Sequence, residues 1–319
     1  NSLISDNWVI VMVNKLLLHT RENEVYRDLL IKRNLPDLVI LGDSPSSITE
    51  ANIWLAEPAL AAPLLNHARH LRWLQSTFAG VDKLMAPRQR QDYQLTNVRG
   101  IFGPLMSEYL FGYLLAHNRQ HQHYQQLQQQ RLWQPGNYQT LQGQQLLLLG
   151  TGSIAVHLAT TAKHFGMKVI GINRKGQAIT GFDLVDKIDN LSQYLPEADV
   201  IASVLPNTPA TQNILNRQSL ALLKSDAVLF NLGRGNVLDL DALAAQLALK
   251  PHQQAILDVF NQEPLPSEHP IWLSTNAIIT PHVAAPSFPI QTVDVFCNNY
   301  ALWLNEQPLN FRVDFENGY

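Results

Sequence analysis

Short apolar runs and stretches of helical spacing alternate along almost the whole chain. In the first hundred residues they pass through segments 8–13, 21–31, 38–41, 53–65 and 71–75, which predicts a small α/β domain of its own. A long amphipathic stretch then runs from Gly103-Pro104 to about Trp133, with Leu105, Tyr109, Leu110, Tyr113 and Leu114 on one face and Pro104 suited to a first helical turn. Its second half, 120–130, is rich in Gln and reads as a solvated helix face, because Tyr124, Leu127 and Leu132 keep some apolar content in it. Beyond Gly143 the apolar runs 144–149, 167–172, 199–204, 227–231, 254–258 and 277–280 are separated by helical patterns, which predicts a parallel, doubly wound sheet. Segment 286–319 is too short for a domain and is expected to pack back on the first.

The run QQLLLLGTGSIA, from Gln144 to Ala155, is the most informative stretch, because an apolar strand meets two glycines and opens directly into a helix. Gly150 permits a tight turn, Gly152 lets the backbone approach a pyrophosphate, and the first N–H groups of the helix favour its charge. Ala155 stands where a third glycine is usual. Thr151, Ser153 and Ile154 complete the candidate phosphate turn; a glycine-rich connection with no ligand is the plain alternative. About 20 residues further on, where an Asp or Glu would meet ribose hydroxyls, the chain has Asn173-Arg174-Lys175. A neutral Asn and a cationic fork suit a 2′-phosphate, so the expected cofactor is NADP(H), with NAD(H) possible, unless these cations only face solvent.

The 319 residues suit two domains, and 46% apolar content supplies their cores. A net charge of −3 gives no basic field for nucleic acid, and no apolar run is long enough to span a bilayer. The single cysteine, Cys297, excludes an internal disulfide and fits a reducing compartment. With no basic segment and apolar core at the start of the sequence, a cytoplasmic location is expected.

Three residues at strand ends carry candidate chemistry: Arg234 after VLFNLG, Glu263 after ILDVFNQ, and His282 after AIIT and Pro281. Arginine can bind a carboxylate bidentately and polarise a carbonyl, an imidazole exchanges protons near neutrality, and a carboxylate can orient it. Singly, each has a structural alternative: a loop cation, a turn carboxylate, a satisfied histidine.

The strings LPNTPATQNILN, NLGRGNVLDLDALAAQL, LDVFNQEPLP and TPHVAA follow GTGSIA in order, with 29 positions from Arg234 to Glu263 and 19 from there to His282. Together with STFAGVDKL and FGPLMSEYLFGYLL they resemble the D-isomer-specific 2-hydroxyacid dehydrogenase family, and NRK, DYQ, QEPLP and the terminal NGY resemble its NADPH-preferring glyoxylate/hydroxypyruvate reductases. The resemblance implies a Rossmann-type cofactor domain, 102–285, inserted into a smaller flavodoxin-like α/β substrate domain, 1–101 with 286–319, that closes on it. It implies that Arg234 binds and polarises a small 2-oxo acid, that His282 is the general acid in its reduction to a D-2-hydroxy acid, and that Glu263 pairs with His282. Ala79 and Gly80 would hold the substrate carboxylate through backbone groups. Leu205, Pro206 and Thr211 would border the adenosine and ribose, Leu232 and Gly233 would line the cofactor, and Asp258 would lie near the nicotinamide carboxamide. Trp54 and Phe78 are candidates for the substrate wall. A homodimer is expected, with Tyr113, Leu114, Tyr124, Leu127 and Trp133 as surplus apolar surface near the contact. The alternatives are a dinucleotide-sensing, corepressor-like binding protein and a phosphite- or formate-type dehydrogenase.

Overall fold

The computed structural model describes residues 13–316, so the expected strand at 8–13 lies outside the described residues but for Val13. The chain separates into two units, 1–99 with 287–319, and 100–286.

In the first unit, β1 (Asn14–His19), β2 (Leu38–Ile40), β3 (Ile53–Ala56), β4 (Trp73–Ser76) and β5 (Gln94–Thr96) form a parallel sheet of order β2-β1-β3-β4-β5. Successive residues of β1 serve opposite cores: Leu17 joins one cluster with Trp54 and Leu74, while Leu16 and Leu18 join another with Phe296 and Tyr300. Period-two alternation between two buried faces is why such strands read as unbroken apolar runs. The helix Pro289–Leu304 brings Val293, Phe296 and Tyr300 into that second cluster, where the Phe296 ring stacks on Trp73 at 5.1 Å between centroids.

In the second unit, β6 (Gln145–Leu149), β7 (Lys168–Asn173), β8 (Leu184–Lys187), β9 (Val200–Ser203), β10 (Val228–Asn231), β11 (Gln254–Leu257) and β12 (Ala277–Ile279) form a parallel sheet of order β12-β11-β10-β9-β6-β7-β8. Leu147 and Leu149 enter the core on one face, Leu146 and Leu148 that on the other. The chain reverses its direction of winding between β6 and β9, and ligands of such sheets bind beyond the carboxyl ends of the strands at that switch. Register aligns those ends: Leu149 lies opposite Ser203, Ser203 opposite Asn231, Asn231 opposite Leu257 and Leu257 opposite Ile279. The loops starting at Gly150, Val204, Leu232, Asp258 and Thr280 therefore all rise from one level.

The single amphipathic stretch expected from 103 to about 133 is instead two helices, Phe102–Asn118 and His121–Gln129. The break falls at Gln120, whose backbone is left-handed at φ 56°, a turn the sequence does not announce with Gly or Pro. Leu114 and Leu127 prove to be buried rather than surplus surface, and Trp54 is core, with no exposed area to offer as a substrate wall. No helix among the described residues is long and apolar enough to cross a membrane.

Candidate active site

The glycine turn follows directly from the register of β6. Gly150 has φ 105°, and a Cβ there would lie 3.2 Å from Val204 Cγ2, so the turn is both left-handed and pressed against the loop after β9. At Gly152 the same test meets nothing within 4 Å, and no side chain caps the helix Ser153–His164 that it opens. The backbone N–H groups of that helix's first turn thus have neither an intrahelical partner nor a side-chain cap, a donor set suited to a pyrophosphate. Ala155 is fully buried beside Leu146 and Leu148 in the core below, so its methyl fills the close helix-to-strand contact. These features fit a dinucleotide.

At the end of β7, Asn173 organises its own loop. Its Oδ1 accepts from the backbone N–H of Lys175 at 2.9 Å and of Gly176 at 2.6 Å, and its Nδ2 donates to Thr151 Oγ1 at 3.0 Å. The side chain therefore ties the 173–176 loop to the glycine turn, while Arg174 and Lys175 stand exposed. Pro206 and Thr211 are also linked internally: Thr211 Oγ1 donates to the Pro206 carbonyl at 2.7 Å and accepts from Asn236 Nδ2 at 3.2 Å. Asn236 belongs to the Arg234 loop, and its carbonyl also accepts the Asn213 N–H at 2.7 Å, so the two loops are tied together.

Arg234 is set in a slot that tolerates no side chain on either flank. A Cβ on Gly233 would come within 2.5 Å of the Leu205 carbonyl oxygen, and one on Gly235 within 2.0 Å of the Phe260 carbonyl carbon. Asn231 Nδ2, fully buried at the end of β10, donates to the Arg234 carbonyl at 3.1 Å. One guanidinium nitrogen of Arg234 donates to the Gly233 carbonyl at 2.8 Å, and Leu232 and Gly233 are buried beneath it.

The loop against which Gly235 packs carries Glu263. Its Oε1 accepts from the Phe260 N–H at 2.9 Å, and its Oε2 lies 2.9 Å from His282 Nδ1. A carboxylate there holds the proton on Nδ1 and leaves Nε2 outward, where 52% of the histidine side chain remains exposed. His282 has φ 55°, and the turn around it is pinned by a buried carboxylate: Asp258 accepts from Thr280 Oγ1 at 2.6 Å, Val283 N at 2.8 Å and Ala284 N at 2.9 Å, and its carbonyl accepts the His282 N–H at 2.9 Å. Because the Thr280 hydroxyl donates to Asp258, the Tyr109 hydroxyl donates to Thr280; burial, with a further push from the Asp258 charge, raises the Tyr109 pKa far above its usual value and keeps that proton in place. Thr280, Tyr109, Asn231 and Asn236 support the candidate residues, yet none was singled out from sequence for this role. Thr280, directly before Pro281-His282, was the one with a local signal.

The structure thus gathers Arg234, Glu263 and His282 on neighbouring strand-end loops of the second unit, with Asp258 beneath His282. Ala79 and Gly80 lie in the first unit, in the turn after β4, where Asn97 Nδ2 donates to the Ala79 carbonyl at 2.8 Å. Phe78, in the same turn, is exposed. Among the described residues no group of three or more His, Cys, Asp and Glu could hold a metal ion.

A family model described as D-isomer specific 2-hydroxyacid dehydrogenase, NAD binding domain, matches residues 111–284. The chain is 31% identical to glyoxylate/hydroxypyruvate reductase A of Serratia proteamaculans over 299 residues, 91% of this chain and 94% of that protein. A crystal structure of a D-isomer specific 2-hydroxyacid dehydrogenase family protein from Aeromonas salmonicida superimposes with a TM-score of 0.90 at 49% identity, over 95% of this chain and 99% of that one. An NADPH-dependent glyoxylate/hydroxypyruvate reductase from Sinorhizobium meliloti, solved with NADP and sulfate, gives 0.84 at 25% identity over 96% and 100%.

Proposed function

The chain belongs to the D-isomer-specific 2-hydroxyacid dehydrogenases, and on that premise we propose that it reduces a small 2-oxo acid of the glyoxylate or hydroxypyruvate kind, using NADPH in preference to NADH. The observation that carries this reading is the Glu263–His282 pair, a half-exposed imidazole fixed in one tautomer beside the slot that holds Arg234. When bound, the reduced nicotinamide supplies the hydride to the carbonyl carbon. Arg234 takes the substrate carboxylate and stabilises the negative charge developing on the carbonyl oxygen. The Nε2–H of His282 delivers the proton to that oxygen, and Glu263, hydrogen-bonded at Nδ1, supports the imidazolium before transfer. Solvent then returns the proton to the exposed ring.

The first-turn N–H groups at Ser153 and Ile154, with Gly150, Thr151 and Gly152, are the proposed pyrophosphate cradle, bordered by Leu205, Pro206, Thr211, Leu232 and Gly233. Arg174 and Lys175 are the proposed partners of the 2′-phosphate, on a loop shaped by Asn173. Asp258, its carboxylate committed to the 280–284 turn, holds His282 in place. The backbone at Ala79 and Gly80 is the proposed cradle of the substrate carboxylate. The 100–286 unit is accordingly the cofactor domain and the remainder the substrate domain. We place the protein in the cytoplasm, in keeping with its one unpaired cysteine, and as a homodimer. Segment 131–140 is exposed throughout and presents Leu132, Tyr138 and a fully exposed Trp133, apolar area that a second copy would cover.

The test is NADPH consumption with glyoxylate, hydroxypyruvate, pyruvate, phenylpyruvate and 2-oxoisocaproate, repeated with His282→Asn. Turnover of at least one acid, lowered roughly 10²–10⁴-fold in the variant, is expected. NADPH binding without turnover of any acid would instead mark a dinucleotide-sensing protein. Light scattering on the wild type and on Trp133→Ser checks the dimer.

A further inference from the structure

Arg99 is the last residue of the first unit, and the strand of chain that carries it runs along the turn holding Ala79 and Gly80. The Val98 N–H donates to the Phe78 carbonyl at 3.3 Å, and Asn97, next to it, sends its side chain across the same turn. That side chain acts as a two-ended bridge. Its Nδ2 donates to the Ala79 carbonyl at 2.8 Å, and its Oδ1 accepts from Arg99 Nε at 2.9 Å. The guanidinium is thereby fixed at a set distance from the Ala79 backbone, the length of one amide and two hydrogen bonds.

Only one of the five guanidinium N–H groups is used in this bond. Among the described residues the terminal nitrogens of Arg99 have no protein acceptor, and no carboxylate is paired with the side chain. Arg99 is nevertheless half-buried, and the loss of water lowers its pKa from the usual arginine value. Arg21, Arg33 and Arg90 behave otherwise, each meeting a carboxylate near solvent. A cation drawn partly out of water, with its planar fork held in place but not satisfied, is arranged for an anion that comes from outside the chain.

We infer that Arg99 recognises a second acidic group on the substrate, so that the protein favours four- or five-carbon 2-oxo dicarboxylates over 2-oxo acids of equal length with neutral tails. This rests on the reading that Ala79 and Gly80 hold the carboxylate beside the 2-oxo group. With that end fixed, the Asn97 bridge sets Arg99 about one short carbon chain away, where the far carboxylate of a diacid can accept two parallel N–H bonds. Binding at the far end leaves the reacting carbon untouched, so the preference is expected in KM more than in kcat.

The experiment compares length-matched pairs with NADPH as reductant: oxaloacetate against 2-oxobutyrate, and 2-oxoglutarate against 2-oxovalerate. In the wild type the diacid of at least one pair is expected to have a kcat/KM at least about tenfold higher, the ratio shrinking as salt is added. In Arg99→Gln that ratio is expected to fall towards one, with Arg99→Lys between. NADPH titration and a melting curve confirm that the variants are folded; if Arg99→Gln is not, the wild-type ratio, its salt dependence and Arg99→Lys decide. Neutral acids used as well as diacids in both pairs, or an unchanged ratio in a folded Arg99→Gln, would overturn the proposal while leaving 2-oxo acid reduction intact. A protein that turns over none of the four acids, nor glyoxylate, loses both.

Discussion

The two arginine loops beyond the sheet ends of the second unit are built on opposite plans. The Arg234 loop is wedged between the Leu205 and Phe260 backbones, with no room for a methyl at Gly233 or Gly235, and buried Asn231 and Asn236 hold it from below. The Arg174 loop projects into solvent and keeps its shape through one side chain, Asn173. Stabilising a charge that exists only during reaction requires donors fixed in advance, since a displacement of about 1 Å can cost on the order of 10²-fold. Telling a phosphate from a hydroxyl needs only a cation within reach. The rigid loop is therefore expected to fail abruptly under substitution and the open one to change its preference gradually.

The largest effect should come from Arg234→Lys, which keeps charge but loses the planar fork: kcat/KM for the 2-oxo acid is expected to fall roughly 10²–10³-fold while NADPH affinity, read by fluorescence titration, changes little. Near-normal turnover would remove Arg234 from the chemistry. Gly235→Ala tests the slot itself. Its methyl cannot fit without moving the Phe260–Asn261 peptide, next to the Phe260 N–H that anchors Glu263, so activity should drop about 10²-fold and the melting temperature should fall.

On the open loop, Asn173→Asp with Arg174→Ile should turn an NADPH preference of about tenfold or more into a preference for NADH, measured as the ratio of kcat/KM values. The fold should survive, because a carboxylate at 173 still accepts from the N–H groups of Lys175 and Gly176, and the Thr151 hydroxyl can donate to it. Equal use of both cofactors by the unmodified protein at low salt would mean that Arg174 only faces water. Smallest of all should be Gly176→Asn. That backbone is left-handed at φ 66°, a conformation Asn adopts, but a Cβ would lie 2.9 Å from Lys187 Cγ and 3.2 Å from the Lys187 backbone nitrogen, so a loss of about 1–3 kcal/mol in thermal unfolding and little change in rate are expected.

The same contrast marks what sequence could reveal. The buried strands β6, β9, β10 and β11 were legible because residues serving two cores leave continuous apolar runs, and the doubly wound class followed from their repetition. The short edge strands β5 and β8 were not, since β8 is largely solvent-facing and shows no such run. Nor was the break at Gln120, where a left-handed residue interrupts a pattern that stays helical on both sides. Arg234, Glu263 and His282 could be located by their strand ends, but what surrounds them could not. Asp258 inside the 280–284 turn, Thr280 linking it to Tyr109, and Asn173 turned inward are contacts between segments distant in sequence, and periodicity carries no record of them.

The left-handed backbone of His282 has a consequence for how such a protein can change over generations. Few residues accept that conformation readily, chiefly Gly, Asn, Asp and His, and of these only His offers an imidazole. The substitutions least harmful to the turn are thus the ones that silence the chemistry, while the Asp258 clamp and the glycine turn persist unaltered. A duplicated copy released from selection would lose turnover long before it lost its shape, leaving a folded dinucleotide binder free to take up a signalling task.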